Sequence, residues 1–319
     1  MAARQVHVGM QTPQHAVAYA RLRRTWLLLD ELGFDSAWVM DHFYPVHYPS
    51  GHAITAGCFE GWTLLSALAP LTARVRVGCL VSGNTYRNPF LLARMAQTLD
   101  HATDGRLIMG IGAGWNIDDH EGFGFDFPRI AERLRRMEEA IRVFRHVWSG
   151  SDAAFTGRFY SGRAGLPSLP APVQGDIPVM IGGVGEQLTL RIVAEHAQMW
   201  NMYAPTYEQF THKCEVLAGH CATIGRDPAT IHKTLHMPIC IGATREQAAA
   251  RARARFPTLP DSRAAGAAGF VINGTPDEVI TQLRGYVDIG ADGFVFAYEP
   301  PHDDDELRLF ADEVLPALR

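Results

Sequence analysis

One pattern constrains the fold of this chain more than any other. Short runs of apolar and β-branched residues alternate with longer stretches whose apolar side chains fall three or four apart, and the alternation recurs along the whole length. Residues 6–11, 36–42, 74–82, 107–114, 179–183, 198–203, 231–242 and 293–298 read as strands. Residues 17–32, 62–71, 89–101, 129–148, 186–196, 207–224, 244–256, 275–289 and 304–318 read as helices. In the first helix Leu22, Trp26, Leu29 and Leu32 share a face. In the third, Pro89 occupies the first position behind a capping Asn88. Eight strand–helix units in 319 residues predict an α/β fold of the (β/α)8 TIM-barrel kind, as one domain over 1–319; a doubly wound sheet is the alternative. Insertions stand out at 44–60, 115–128 and 149–178.

Composition narrows the function classes. The net charge of -5 argues against nucleic acid as a partner, because phosphate binding needs clustered Lys and Arg. No apolar run reaches the roughly 18 residues of a membrane span. The first nine residues lack the basic-then-apolar layout of a signal peptide. The five cysteines form no CxxC pair and suit free thiols, so a cytoplasmic location is expected.

In a barrel the chemistry sits at the carboxyl ends of the strands. Those ends carry Gln11, Asp41, His42, Val81, Ser82, Gly112, Trp115, Asn116, Gly182, Gly183, Asn201 and Tyr203. An imidazole at His42 can move protons near neutral pH, and a carboxylate at Asp41 can bind a ligand or orient the site; a capping Asp beside a surface His is the plainer reading. Gly182, Gly183, Val184 and Gly185 join a strand to a helix, where free N–H groups and the helix dipole suit a phosphate; a tight turn is the plainer reading. Gly110, Gly112 and Gly114 do not make a dinucleotide fingerprint, since no acidic residue follows at the required distance. They leave room on an inward face for a flat ring, or for large neighbours in the barrel. His42, His47 and His52 lie five apart and form no metal motif, so no metal is expected.

Several stretches then resemble a known family: "FDSAWVMDHF", "VGCLVSGNTYRNPFLLARMAQTLDHATDGRLIMGIGAGWN", "GFDFP", "IGGVGEQLTLRIVAEHAQMWN" and "GTPDEVITQLRGYVDIGADGFVF". In this order they are similar to the luciferase-like monooxygenase superfamily, and within it to the coenzyme F420-dependent oxidoreductases; 258–269 is the least similar part. The resemblance implies a barrel that holds a deazaflavin or flavin at the strand mouths. The ring is expected near Asp41, Leu80, Val81, Ser82 and Gly112, and the ribityl phosphate on Gly182, Gly183 and the following helix. Gln11, Asn116, Val184, Gly185, Asn201 and Tyr203 complete the expected cofactor contacts. The resemblance also implies a non-proline cis peptide at Leu80-Val81, with Asp41 and His42 as the catalytic pair beside the reactive carbon.

The chain departs from the sugar-phosphate dehydrogenases of this branch. Trp115 stands where they have Glu, and their phosphate-binding basic residues find no clear match. Trp38, Phe43, Tyr44 and Trp115, with Glu60 at the rim, suggest an apolar or aromatic substrate pocket. The resulting expectation is hydride transfer between C5 of F420 and a small imine, activated alkene or alcohol. Partners would be that small molecule, an F420-reducing enzyme and a second copy of the chain. The alternatives are an FMN-dependent monooxygenase supplied by a flavin reductase, and a catalytically silent flavin-fold binding protein.

Overall fold

The computed structural model describes residues 5–46, 55–258 and 271–319. Eight parallel strands close into a barrel, in the order β1 (His7–Gln11), β2 (Ser36–Val39), β3 (Arg76–Cys79), β5 (Leu107–Gly112), β8 (Val179–Gly182), β9 (Met199–Tyr203), β10 (His232–Ile241) and β12 (Gly293–Ala297). Parallel pairing of β1 with β12 closes the ring, with Gln11 opposite Ala297. Helices α1 (Tyr19–Leu32), α2 (Gly61–Leu68), α3 (Pro89–Ala102), α5 (Ile130–Trp148), α6 (Thr189–His196), α7 (Tyr207–Thr223), α8 (Arg245–Arg255), α9 (Pro276–Asp288) and α10 (Asp304–Leu309) lie outside. The doubly wound alternative is therefore excluded.

Strand periodicity divides the core in two. Outward side chains such as Val77, Ile111, Ile181, Trp200 and Phe294 pack against Trp26, Trp62, Phe144, Trp148 and Tyr286 of the helices. Inward side chains from five strands, Trp38, Ile108, Met180, Met199 and Val295, together with Leu80 just past β3, fill the barrel. Burying an aliphatic or aromatic side chain contributes roughly 1.5–3 kcal/mol, so the ring of strands is held from both faces.

The expected strand over 74–82 is broken. After β3 the chain makes a cis bond at Leu80-Val81 and resumes pairing only at β4 (Ser82–Gly83), against Ile111 and Gly112 of β5. Glycines on facing strands make the break possible. A Cβ at Gly110 would collide with the Cys79 carbonyl oxygen, and one at Gly112 would lie 2.7 Å from a Val81 methyl. A Cβ at Gly182 would lie 3.2 Å from both Val81 methyls. The room left by Gly112 and Gly182 is thus filled by Val81. Gln11 secures the bulge by donating its side-chain N–H to the Leu80 carbonyl at 2.6 Å.

Smaller differences have local causes. The 115–128 insertion holds an unforeseen helix, α4 (Ile117–Phe123), capped by Asn116 and ended by Gly124 in the left-handed conformation. Within 149–178 a hairpin of β6 (Phe155–Thr156) and β7 (Ser161–Gly162) is held by Glu139, whose carboxylate accepts N–H bonds from Arg158, Phe159 and Tyr160. A short strand, β11 (Ile272–Gly274), pairs with the far end of β10. Helix α6 starts at Thr189 rather than 186. The closing helix widens into a π turn at Phe310–Val314, just before Pro316, which has no N–H to offer.

Glycine packing gives a direct test. Gly110→Ala should destabilise by about 1–3 kcal/mol through overpacking, read as a lower Tm. Gly219→Ala, with open space around its Cβ on exposed α7, should stabilise by about 0.5–1 kcal/mol. Equal melting temperatures for the two variants would contradict the packing described.

Candidate active site

Side chains alternate in direction along an extended segment, and the neighbours Asp41 and His42 accordingly enter different networks. Asp41 is buried, and both its oxygens are occupied. Oδ2 accepts the Gly83 N–H at 3.0 Å and Arg87 Nη1 at 2.7 Å, and Oδ1 accepts Arg87 Nη2 at 3.0 Å. Burial raises its pKa, and the Arg87 charge opposes that rise. Arg87 also donates to Glu60. Glu60 caps α2 through the N–H groups of Trp62 and Thr63. Burial works to raise its carboxyl, but the hydrogen bonds from Thr63 and the Arg87 charge outweigh it and hold the pKa low. The expected substrate-facing Glu60 is therefore part of an ion-paired wall. Asp41, expected in the catalytic pair, is ion-paired with Arg87 and accepts one bond on Oδ1 and two on Oδ2.

His42 pairs instead with Asp119 of α4. Its Nδ1 lies 2.6 Å from Asp119 Oδ2, and the same carboxylate accepts the N–H groups of Phe43 at 2.9 Å and Tyr44 at 3.3 Å and the Tyr86 hydroxyl at 3.2 Å. Burial alone would raise Asp119, yet the hydrogen bond and charge of His42 and the two backbone donors hold it below its usual value. The His42 side chain keeps 14% of its surface exposed, and its Nε2 makes no hydrogen bond among the described residues. The indole of Trp115 sits edge-on to it at 5.3 Å and is 64% exposed. Tyr44 and Phe43 pack on Phe123 of α4, which makes that helix one wall of the mouth.

Other expected contacts are redistributed. Trp38 is no pocket residue: it is fully buried in the barrel, donates to Ser36 Oγ at 2.7 Å, and fills the space Gly78 vacates. Ser82 turns outward and accepts the Trp62 indole N–H at 2.9 Å, so its hydroxyl does not face the ring site. Asn116 caps α4 by accepting the Asp118 N–H. Asn201 donates to Thr234 at 2.9 Å, while Tyr203 remains half exposed. His47 and His52 lie outside the described residues. Glu138, Glu195 and His196 cluster on the outer helices, but Arg191 already pairs with both glutamates.

The glycine turn after β8 has a different register of donors from the one expected. Gly183 adopts φ +132°, which favours glycine, and its N–H is taken by the Asn201 carbonyl at 3.2 Å. The backbone N–H groups of 184–189, including Val184 and Gly185, have no partner among the described residues. They form an exposed row leading into α6, where backbone dipoles favour an anion. A ribityl phosphate fits this row, and a tricyclic ring fits the Val81 wall beside His42.

The luciferase-like monooxygenase family model matches residues 2–266. The chain belongs to that family. It is 27% identical over 333 residues to F420-dependent glucose-6-phosphate dehydrogenase of Amycolatopsis mediterranei, covering 96% of this chain and 95% of the relative. It is 29% identical to F420-dependent glucose-6-phosphate dehydrogenase 1 of Rhodococcus jostii, with 92% of each covered. In fold it is similar to an F420-dependent secondary alcohol dehydrogenase in complex with an F420-acetone adduct, with a TM-score of 0.83 at 17% identity and 99% of both chains covered. It is similar also to the coenzyme F420-dependent tetrahydromethanopterin reductase of Methanopyrus kandleri, with a TM-score of 0.81 at 18% identity, covering 99% of this chain and 100% of that one.

Asp119, Arg87 and Tyr86 were not read as site residues from the sequence. Asp119 had one usable mark, an acidic pair behind a capping Asn116 in an insertion beside a strand mouth. Its depressed pKa makes a pH prediction. The stabilisation it gives is complete above its unfolded value of 3.8 and is lost as pH falls through the lower folded value. The stability difference between wild type and Asp119→Asn should therefore shrink as the pH falls below 3.8. A difference that grows on acidification, measured by denaturant unfolding, would contradict the assignment.

Proposed function

We propose that this protein is a coenzyme F420-dependent oxidoreductase acting on a small organic substrate that carries no phosphate. The observation that carries the reading is the His42–Asp119 pair at the strand mouth, in which Nε2 has no hydrogen-bond partner among the described residues. The kinship with F420-dependent dehydrogenases supports the choice of cofactor.

When bound, F420 supplies hydride transfer at its deazaflavin ring. The N–H row at 184–189 would hold the phosphate, and Val81 with Gly112 and Gly182 behind it would support the ring. Asp119 fixes Nδ1 of His42, so that Nε2 is the atom that gives or takes the proton balancing the hydride. Trp115 stands edge-on to that imidazole at 5.3 Å. Holding the reacting atoms about 3–3.5 Å apart is the main service a protein can add to such a cofactor. An F420-reducing enzyme would supply or regenerate the reduced cofactor, in the cytoplasm, and the chain would act as a homodimer.

The substrate class follows from the cations. Arg87, the guanidinium set into the mouth, is committed to Asp41 and Glu60, and Lys213 beside the glycine turn is paired with Glu186. A sugar phosphate would find neither free. An imine, activated alkene, ketone or alcohol needs no such cation.

Titration with F420, reduced F420 and FMN tests the reading. F420 should bind at least about tenfold more tightly than FMN, a difference of about 1.4 kcal/mol. Glucose 6-phosphate should give no F420 reduction while small alcohols do. Tighter FMN binding with oxygen consumption would overturn it in favour of an FMN-dependent monooxygenase, and rapid glucose 6-phosphate oxidation would overturn the substrate class.

A further inference from the structure

Most polar side chains in the mouth are paired; one imidazole is not. His236 lies on β10 in register with Tyr203 of β9 and Val295 of β12. Val295 belongs to the side chains that fill the barrel, and residues in register on parallel strands face the same side, so His236 points inward. Two residues earlier, Thr234 also faces inward and takes the Asn201 amide. His236 therefore stands two residues below the level of Pro238, Ala297 and Gln11, at the floor of the mouth.

The strand order adds a direction. From β3 to β10 there are four steps either way around the ring. His236 thus sits across the barrel from the bulge and from the ring face expected there. A molecule lying on that face, with its reacting atom beside His42, has its far side toward His236.

The Nε2 of His236 is buried and has no hydrogen-bond partner among the described residues. Buried polar atoms in folded proteins are nearly always paired, and leaving one unpaired costs about 1–3 kcal/mol. Its ring packs at 5.2 Å from that of Tyr203. Burial lowers its pKa to about 4, and no charged side chain contributes to that shift. The imidazole is neutral, in uncharged surroundings, with a buried nitrogen that no group of the described residues answers.

We infer that His236 is a substrate-binding residue whose Nε2 hydrogen-bonds an uncharged oxygen, a ketone carbonyl or an alcohol hydroxyl, on the side of the substrate away from the cofactor. This deepens the proposed function and rests on it for the position of the ring. A neutral partner is required because an ion there would be desolvated with no counter-charge. A site built around such a bond rejects analogues that lack the oxygen.

The test uses the F420-loaded protein with three ketones as probes: acetone, cyclohexanone and acetophenone. The His236 imidazole signal, assigned in nitrogen-detected NMR by its loss in His236→Asn, should move when at least one ketone is added. For that ketone, KM should rise about three- to tenfold in His236→Phe and recover in His236→Asn, as the loss and return of one neutral hydrogen bond predict. The turnover number should stay within about threefold, and F420 affinity should be unchanged in both variants. A signal that moves with F420 alone and no further with ketone would assign the nitrogen to the cofactor and overturn the inference. So would no movement with any of the three, or an unchanged KM in His236→Phe. Failure of the wild type to bind F420 would overturn the proposed function instead, and ketone titration of the cofactor-free protein would still report on His236.

Discussion

The backbone between Cys79 and Ser82 occupies space that its neighbours vacate. Gly110 has no side chain because the Cys79 carbonyl is there, and Gly112 and Gly182 have none because Val81 is there. Gln11 reaches across from β1 to hold the Leu80 carbonyl. The displaced chain then returns to β5 at Ser82 and Gly83, which brings the Gly83 N–H to Asp41 and sets Arg87 where it can grip the same carboxylate with two parallel bonds. The ion-paired wall of the mouth, the start of α3 at Asn88 and the surface offered to a flat ring all follow from this one steric arrangement.

Two consecutive residues at the end of β2 show how burial assigns roles. Asp41 is enclosed, and an enclosed carboxylate is tolerable only when its charge and lone pairs are answered. Arg87 and Gly83 answer its charge with three hydrogen bonds. His42 has one nitrogen fixed by Asp119 and the other open. The bonds from His42, Phe43 and Tyr44 hold the Asp119 carboxyl low, and Asp119 in turn fixes the orientation of the His42 ring.

The barrel was legible because its strand and helix periodicities repeat with little noise, and His42 because it stands at a strand mouth. The bulge at Leu80-Val81 came only from resemblance to the family, since nothing local in "GCLVSGN" marks it. Asp119 was missed because it comes from an insertion whose fold depends on a helix too short to show a period. Trp38 was misplaced because an aromatic on a strand reads the same whether it lines a mouth or fills a barrel; only Gly9 and Gly78, which make room for it, distinguish the two. At the glycine turn expected to hold a phosphate, Gly183 donates to Asn201, and the backbone N–H groups without a partner among the described residues begin at Val184.

The account turns on His42 handling the proton while the rest of the mouth holds cofactor and substrate in place. Its most direct test is the stopped-flow rate at which a ketone reoxidises reduced F420, in wild type and His42→Ala, from about pH 5 to 9. The account predicts cofactor affinity within roughly tenfold of wild type, a rate lower by about 10² or more, and loss of the wild-type pH dependence. An unchanged rate and pH profile in the variant would make His42 a packing residue and contradict the account.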